Sequence, residues 1–319
     1  MQKFFKNIIV FVVGFIPIIL IAMYVFVQAV DVKYIPPVRV SNSVSFNDKI
    51  FFCHKKIANT LAIGSSMTLN NIHSESIVNF LKSDSYLNMG SWGLCIEDVY
   101  VMLKEYAKVK MPETVFLTGS MEDFAKREIK YDNSDDIHKI LTTDYMLLYY
   151  LKYPDVKYYI TGVTYYKFLK QLDTTYESLK YDKYGQVKYP TKNFDLNLKR
   201  WNHVITNTIL DEKNYDYLDS IAIFSHRNNI RLYYVQTPVR KGLVDSLNQN
   251  KLAQHSNRVQ TILKKYNNLF IDTNDKIWED SLFTDATHMN CNGAKIFTDY
   301  FIDKIKNAES SSAITSQKK

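Results

Sequence analysis

A carboxylate and an imidazole lie three residues apart near the carboxyl end of the chain, in the segment Asp285-Ala-Thr-His288. At this spacing the carboxylate can bind one ring nitrogen of the histidine and leave the other nitrogen free to accept a proton. A base oriented in this way needs a nucleophile, and the turn Gly64-Ser65-Ser66 offers a serine hydroxyl. Each piece also has a simpler explanation, because aspartate and serine commonly cap helices. Together they indicate acyl transfer by an activated serine.

The elements that must position these groups alternate between short apolar runs and helical stretches. The apolar runs predict strands over Thr60–Ile63, Tyr86–Met89, Thr114–Leu117, Arg231–Gln236 and Asn268–Ile271. The pattern between them predicts helices over Asn70–Ser83, Ile96–Lys110 and Cys291–Lys306. Such alternation is typical of an α/β fold with a parallel sheet, in which ligands bind beyond the carboxyl ends of the strands. Because Ser66 and the glycines Gly90 and Gly93 follow predicted strands, we expect them to meet at one edge of the sheet.

The turn at Ser66, the segment that ends at Gly93 and the pair Asp285 and His288 resemble, in this order, the SGNH (GDSL-type) hydrolase superfamily. The resemblance covers roughly Thr60–Lys306, and it implies a flavodoxin-like three-layer α/β sandwich with a mostly parallel central sheet. It implies that Ser66 is the nucleophile and that His288 and Asp285 activate it. It also implies that Gly93 donates an N–H group to the oxyanion.

The chain departs from this family after the third predicted strand. The family has Gly-x-Asn-Asp there, whereas this chain reads Gly119-Ser120-Met-Glu-Asp123. The asparagine that would donate to the oxyanion is absent, so Ser120 or a backbone N–H group is the predicted substitute. Losing one such donor typically costs about 3–4 kcal/mol of transition-state stabilisation, which is compatible with a slow hydrolase or with a transferase. Asn290, just after the histidine, also fits the family pattern and is predicted to be a binding residue.

The amino-terminal region is predicted to anchor the chain in a membrane. Residues 8–30 carry no charge, and as a helix they would be about 34 Å long, enough to cross the hydrocarbon layer. A signal peptide is the alternative, but the run is long and bulky and lacks a clear small-residue cleavage site. Lys3 and Lys6 lie in the preceding segment, so residues 1–7 are predicted to be cytoplasmic. The bulk of the protein is then expected in the periplasm or at the cell surface.

The rest of the chain is predicted to form a stem, one domain and a tail. The stem covers residues 31–57 and should be extended around its tandem prolines, Pro36 and Pro37. The hydrolase-like domain covers residues 58–307, and a disordered tail covers residues 308–319. An insertion at about 131–215 holds 14 of the 24 tyrosines, which predicts either a ligand platform or a packed helical insert.

Composition limits the possible classes of function. The 46% apolar and 14% aromatic content is enough for a real hydrophobic core. The net charge of +7 is mild, and without an arginine-rich helix or a nucleic-acid motif it predicts no DNA or RNA partner. The three cysteines, Cys53, Cys95 and Cys291, are odd in number and show no metal-ligand spacing. Free thiols are expected, with no metal and no cofactor.

The resemblance and the expected topology together predict a membrane-anchored serine esterase or O-acyltransferase outside the cytoplasm. Its substrates would be acetyl or D-alanyl esters of a cell-envelope polysaccharide or a teichoic-acid-like polymer. Similar envelope proteins also imply a polytopic membrane O-acyltransferase as partner, which is an analogy at the level of the fold. The alternative is a non-catalytic envelope assembly or glycan-binding protein on a decayed scaffold. The missing asparagine supports this alternative, and the intact Ser66, Asp285 and His288 oppose it.

Overall fold

The computed structural model describes residues 2–29, 34–126, 129–172, 178–189 and 198–316. Five strands form a single sheet in the order β2-β1-β3-β4-β5, and every neighbouring pair is parallel. The strands are β1 Thr60–Gly64, β2 Tyr86–Asn88, β3 Thr114–Gly119, β4 Arg231–Gln236 and β5 Leu269–Ile271. This is the order of a doubly wound, flavodoxin-like sheet. The predicted fold class is therefore confirmed, and all five predicted strands are present within one or two residues of their expected ends.

The described part of the chain forms twelve α-helices, and those that pack in the two core layers cover the faces of the sheet. The twelve helices are α1 Gln2–Ala29, α2 Val44–Phe52, α3 Ser66–Asn71, α4 Ser74–Leu81, α5 Ile96–Ala107, α6 Ile137–Thr142, α7 Met146–Lys152, α8 Val156–Gln171, α9 Leu198–Trp201, α10 Glu212–Arg227, α11 Gln249–Lys264 and α12 Cys291–Ser316. The predicted helix over Asn70–Ser83 is in fact two helices, α3 and α4. The break occurs because Ile72 is extended and the His73 side chain caps α4 by accepting from the Ser76 N–H.

The core lies in two layers, one on each face of the sheet, because successive side chains along a strand point to opposite faces. In β3, Val115 and Leu117 pack into the layer formed with α2, α5, α10 and α11, whereas Phe116 packs into the other layer, formed with α4 and α12. Phe116 stacks on Tyr233 of β4, with ring centroids 5.3 Å apart. This packing makes the three-layer sandwich that the resemblance implied.

The predicted stem is not a spacer over most of its length. Residues 31–33 lie outside the described part of the chain, but from residue 34 onward the segment is built into the domain. Val38, Val40, Phe46 and Ile50 are buried in the core layer that contains α5 and α10. The expectation of an extended stem over 31–57 was wrong because α2, capped by Ser43, presents a large apolar face to that core.

The carboxyl-terminal tail also differs from the prediction. Residues 308–316 continue α12 instead of being disordered, and residues 317–319 lie outside the described range. No glycine or proline interrupts the helix here, so nothing in the local sequence ends it. The Tyr233 hydroxyl donates a hydrogen bond to the Glu309 carboxylate, which ties this extension to β4.

The amino-terminal helix α1 begins at Gln2 and contains Pro17. Its stretch Gln2–Ile19 is long and apolar enough to cross a membrane, and none of that stretch is buried against the rest of the protein. A signal sequence near an amino terminus has the same properties. Residue 30, the last of the predicted span, lies outside the described residues.

The tyrosine-rich insertion is largely a packed structure. Residues 173–177 and 190–197 lie outside the description, and the described part contains α6, α7, α8 and α9. Among the described tyrosines between 131 and 215, Tyr145 and Tyr165 are exposed, and the others are partly or fully buried. Of the two alternatives for this segment, the packed helical insert agrees with this burial.

Candidate active site

Ser66 lies at the tip of the strand–turn–helix unit formed by β1 and α3. Ser65 caps α3, because its hydroxyl accepts a hydrogen bond from the Met67 N–H at 3.2 Å. A side chain at Gly64 would not fit, since an added Cβ would lie 2.2 Å from Thr68 Oγ1 and 2.9 Å from the Thr118 carbonyl oxygen. The sharp turn that presents Ser66 therefore requires glycine at this strand end.

His288 and Asp285 meet Ser66 in one hydrogen-bonded chain. His288 Nε2 lies 2.7 Å from Ser66 Oγ, although the two residues are 222 positions apart in sequence. On the other side of the ring, His288 Nδ1 lies 2.8 Å from Asp285 Oδ2. All three residues are thus brought together within hydrogen-bonding distance, in the order nucleophile, base and orienting carboxylate.

Asp285 is held rigidly by its own loop. Its Oδ1 atom accepts hydrogen bonds from the backbone N–H groups of Thr287 at 2.8 Å and His288 at 2.7 Å. Burial alone would raise the pKa of Asp285, but the charge of His288 and these hydrogen bonds outweigh it and hold that pKa well below its usual range. The carboxylate is therefore ionised whenever the protein is near neutral pH.

The electrostatics of His288 follow from the same pair. Burial lowers the pKa of His288, but the charge of Asp285 and its hydrogen bond more than compensate, so the pKa lies above the ordinary value. The carboxylates of Glu122 and Asp123 also raise the pKa of His288. A proton arriving on Nε2 is therefore stabilised, as a general base that receives the serine proton requires.

Asn71, the last residue of α3, locks the histidine loop to the helix that carries the nucleophile. Its Oδ1 atom accepts from the Met289 N–H at 2.9 Å, and its Nδ2 group donates to the Thr287 carbonyl at 3.0 Å. Asn71 is completely buried. It was not singled out from sequence, where a single asparagine in a helix carries no signal of this contact.

The segment from Gly90 to Gly93 lies against the nucleophile turn. The Ser91 N–H donates to the Gly64 carbonyl at 3.2 Å, and a Cβ at Gly90 would lie 2.6 Å from the Leu69 nitrogen. Gly93 itself is exposed in a turn with φ of +70°, which favours glycine. Its segment is placed beside Ser66, and its role as an oxyanion donor stays a prediction.

Ser120 begins a short 3₁₀ turn at the carboxyl end of β3. Its hydroxyl accepts from the Glu122 N–H at 3.1 Å, and its own N–H donates to Asp123 Oδ2 at 2.7 Å. The N–H group is thus used in the turn, whereas the hydroxyl acts there only as an acceptor, and its donation to an oxyanion stays a prediction. Met121, which stands in place of the family's asparagine, is fully buried and has no donor to offer.

Asp123 is a buried carboxylate that the sequence reasoning missed. It bonds to the Ser65 hydroxyl as well as to the Ser120 N–H, so it connects the end of β3 with the nucleophile turn. Burial raises the pKa of Asp123 to about 7, against the lowering effect of these hydrogen bonds. The available signal was an acidic pair directly after a predicted strand.

A second histidine–carboxylate pair borders the site. His203 Nε2 lies 2.5 Å from Glu122 Oε1, and this hydrogen bond raises the pKa of His203. The insertion thus reaches the catalytic edge, where the Arg200 carbonyl also accepts from the Ala286 N–H at 3.2 Å. His203 was missed because nothing local distinguishes it from any other histidine on a polar segment.

Asn290 has a structural role in this loop, and its predicted role as a binding residue stays a prediction. Its Oδ1 atom accepts from the Gly293 N–H at 2.9 Å, and its Nδ2 group donates to the Ser281 carbonyl at 2.8 Å. Both ends of the amide are therefore committed to capping α12 and holding the preceding loop. The pattern that resembled the family reflects this cap.

Within the described ranges, no group of three or more histidine, cysteine, aspartate or glutamate side chains is arranged to hold a metal ion. The three cysteines are free, with Cys53 and Cys95 buried and Cys291 half-buried. Burial raises the pKa of the Cys53 thiol to about 11 and that of Cys95 to about 12. These two thiols are therefore poor nucleophiles.

Comparison of the sequence with models of protein families and with curated proteins finds no match. Among solved structures, the chain is similar to a catalytic mutant of an acetylxylan esterase from Geobacillus stearothermophilus, at 13% identity over 78% of this chain and 96% of that one, with a TM-score of 0.41. It is also similar to a protein of the G-D-S-L family from Desulfitobacterium hafniense, at 13% identity, 76% and 97% coverage and a TM-score of 0.40. An acetyl xylan esterase has 15% identity, 78% and 98% coverage and a TM-score of 0.39.

At such low identities and TM-scores, the substrates and activities of these proteins do not transfer to this chain. The structure of the chain itself brings Ser66, the Gly90–Gly93 segment, Asp285 and His288 to the carboxyl edge of a parallel sheet. The parallel α/β fold that the resemblance implied is thereby confirmed, and the catalytic roles of Ser66, Asp285 and His288 stay a prediction.

Proposed function

We propose that the protein is a serine esterase or acyltransferase that works through an acyl-enzyme. The observation that carries the proposal is the unbroken chain from Ser66 Oγ to His288 Nε2 at 2.7 Å and from His288 Nδ1 to Asp285 Oδ2 at 2.8 Å. A nucleophile within reach of a base that is itself oriented by a third group is the diagnostic arrangement for covalent catalysis. Ser66 is also partly exposed, so a substrate can reach it.

The proposed reaction begins when His288 Nε2 removes the proton from Ser66 Oγ while that oxygen attacks the ester carbonyl carbon. The carbonyl oxygen becomes an oxyanion, for which the N–H groups of Ser66 and Gly93 are the proposed donors. His288 then gives its proton to the departing alkoxide, and the acyl group stays on Ser66. Water or a second hydroxyl repeats these steps in reverse and removes the acyl group.

Asp285 stays ionised throughout this cycle. It keeps the proton of the neutral imidazole on Nδ1, so that Nε2 is the acceptor, and it stabilises the imidazolium when the second proton arrives. The short distance and the depressed pKa of Asp285 support this role.

The proposed setting is the outer face of a cell membrane. The helix α1 supports a single span with the amino terminus inside, since it is apolar over Gln2–Ile19 and the positive charges Lys3 and Lys6 lie near its start. The domain would then meet acyl esters, acetyl or D-alanyl, on an envelope polysaccharide or a teichoic-acid-like polymer. A polytopic O-acyltransferase is the proposed partner for a transfer reaction.

The domain boundaries predicted at residues 58 and 307 are revised, so that the domain also includes residues 34–57 and the extension of α12.

The test is Ser66→Ala in the full-length protein, assayed with a chromogenic acetyl ester and with a fluorophosphonate probe. We expect loss of both turnover and labelling, because the Ser66 hydroxyl is the group hydrogen-bonded to His288 Nε2 at 2.7 Å. Ser83→Ala, an exposed serine at the end of α4, is the matched control and should keep both signals. Turnover that survives Ser66→Ala would contradict the proposal.

The second candidate function is a non-catalytic envelope protein on this scaffold, favoured by the buried Met121 where the family has a donor asparagine. Fluorophosphonate labelling distinguishes the two, because only an activated serine reacts readily. Wild-type protein that is folded but not labelled by the probe would support the second candidate function, a non-catalytic envelope protein. Labelled protein that transfers an acyl group to a glycan hydroxyl more readily than to water would support the transferase.

A further inference from the structure

Helices α7 and α8 present an unusual number of large apolar side chains to solvent. Not one residue of α7 is buried, although its sequence Met-Leu-Leu-Tyr-Tyr-Leu-Lys is strongly apolar. The exposed side chains are Tyr145, Leu147, Leu148, Leu151, Val156, Ile160, Tyr165 and Phe168, which we call the α7–α8 face. Contiguous apolar surface of this kind marks a site of interaction with a protein or a membrane.

The spacing along α8 places three exposed apolar side chains on one half of the helix. At 100° per residue, Val156, Ile160 and Phe168 span about 120°, and Lys157 and Lys167 lie within the same arc. The opposite side of α8 carries Tyr166 and Leu169, which are buried against the domain. Val156, Ile160 and Phe168 are thus exposed while the opposite side of α8 is held by the domain.

The chain that leaves α1 is fastened along the length of α8. Tyr34 lies under Lys167, whose Nζ is 5.8 Å from the tyrosine ring centroid, and Pro36 approaches Gly162 so closely that a Cβ there would be 2.7 Å from Pro36 Cγ. Further along, Arg39 forms an ion pair with Asp155, the residue that caps the start of α8.

These contacts limit how far α8 can lie from a bilayer. Tyr34 follows Ala29, the last residue of α1, by five positions, which can span at most about 17 Å. If α1 crosses the membrane, the adjoining end of α8 must lie close to the membrane surface. The first surface that the α7–α8 face can meet is therefore the lipid.

The side chains that frame the face have the chemistry of a membrane interface. Lys157 and Lys167 are exposed within the same arc of α8, and lysines there can extend their charge to the headgroups while their stems stay on apolar surface. Tyr145 and Tyr165 combine an apolar ring with a polar tip, as residues at the boundary of membrane and water do.

We propose that the α7–α8 face lies in the headgroup and acyl boundary of the extracytoplasmic leaflet, with bilayer lipid as its occupant. Helices of this kind bury their apolar side about 5–10 Å into that boundary. The inference rests on the membrane anchor of the proposed function and not on its ester chemistry. Its consequence is a catalytic domain held against the membrane at a second place besides the span.

The same packing connects the face with the site. Tyr166 and Leu169 of α8 form a cluster with Trp92, and Trp92 also packs against Leu69 of α3. Trp92 belongs to the Gly90–Gly93 segment beside Ser66. A fixed contact between α8 and the lipid would therefore hold the Ser66 edge at a constant orientation to the bilayer, suited to a lipid-linked or membrane-proximal acyl ester.

The experiment measures the depth of spin labels on the full-length protein in single-copy nanodiscs of phosphatidylcholine and phosphatidylglycerol. Labels are placed by Leu148→Cys and Ile160→Cys in a Cys291→Ala background, since the other two cysteines are buried. Ile277→Cys is the matched control, because Ile277 is equally exposed at 68% but lies in the loop after β5. All three positions are exposed, so the replacements leave the core intact.

We expect the ratio of oxygen to nickel-chelate collision rates to be several-fold higher at 148 and 160 than at 277, because oxygen concentrates in lipid and the chelate stays in water. Equal ratios at all three positions would overturn the proposal. The proposal would also be overturned by dipolar coupling between labels on two copies in detergent, if the collision ratios at 148 and 160 are not raised in nanodiscs. That result would indicate that a second copy of the chain covers the face. Low collision rates with both reagents only in native membranes would indicate a protein partner instead. Ester turnover of the labelled proteins is measured separately, so a failure of the anchor and a failure of the chemistry are distinguishable.

Discussion

At the scale of single residues, Asp285 determines what His288 can do. One carboxylate oxygen accepts two backbone N–H groups, and the other accepts the imidazole Nδ1–H, so neither the carboxylate nor the ring can turn without losing hydrogen bonds. The tautomer with a bare Nε2 facing Ser66 is therefore the stable one. The raised pKa of His288 also means that, at a given pH, a larger fraction of the histidine is protonated and unable to accept the serine proton.

The pH dependence of kcat/KM tests this arrangement. His288 must be neutral to accept the serine proton, so activity should fall as the pH drops through a pKa that lies above the ordinary 6.5. Asp285→Asn should lower kcat by roughly 10³–10⁴-fold, because an amide favours the wrong tautomer. It should also move the acid limb to lower pH, since the main group that raises the pKa of His288 is gone.

Asp123→Asn is the matched control for this experiment. Asp123 also raises the pKa of His288 but does not touch the ring, so its replacement should shift the acid limb slightly and reduce kcat far less. Equal losses of kcat in Asp285→Asn and Asp123→Asn would contradict the orienting role of Asp285.

At the scale of elements, α3 carries the nucleophile at one end and the clamp for the base at the other. Ser66 and Asn71 are the first and last residues of this helix, about 7.5 Å apart along its axis. Through Asn71 the helix holds the backbone at Thr287 and Met289, on both sides of His288. The distance between nucleophile and base is therefore set by a single short helix.

Asn71→Ala should separate the two catalytic groups. The change leaves a buried N–H group and a buried carbonyl without their partner, at a cost of about 1–3 kcal/mol for each group. We expect a loss of kcat of at least tenfold with little change in KM, together with faster hydrogen exchange over residues 284–289.

Asn70→Ala serves as the control for this change. Asn70 is the same residue type on the same helix, but its side chain donates to the Val187 carbonyl in the insertion. It should increase exchange near residue 187 and leave the histidine loop protected. Unchanged exchange over 284–289 in Asn71→Ala would show that the clamp is not needed.

At the scale of the whole molecule, the segment that follows α1 is part of the core from residue 34 onward. Phe46 of α2 is fully buried and packs edge-on against Tyr131 at 5.4 Å, whereas Phe51 of the same helix is 41% exposed. The segment between α1 and β1 thus packs in one unit with the first strand and the insertion. If this segment were a free stem, replacing Phe46 or Phe51 would not change the stability of the domain.

Phe46→Ala should lower the free energy of unfolding by about 3–5 kcal/mol, the usual cost of emptying a buried aromatic site. Phe51→Ala, the matched change on the exposed side of α2, should cost less than about 1 kcal/mol, since surface changes are usually small. Urea unfolding in detergent micelles, followed by fluorescence, measures both. Similar small effects for the two variants would instead support the interpretation of this segment as an extended stem.

The sequence by itself determined the strands, the sheet class and the three residues Ser66, Asp285 and His288. Strand patterns are local, and the carboxyl ends of parallel strands must meet at one edge, so residues that follow those strands converge without further information. The resemblance to a known family then supplied their order of action. This was enough to predict the hydrogen-bonded chain before its distances were known.

Only the tertiary structure decided which other residues serve the site and where the domain begins. Asn71 meets Thr287 across 216 residues, and His203 meets Glu122 across 81, so no local pattern announces either contact. The same holds for the caps that Ser120 and Asn290 form, on a turn and on α12. A polar side chain takes the partner that folding places nearest to it, because a buried polar group without a hydrogen bond is costly, and that partner is known only when the chain has packed.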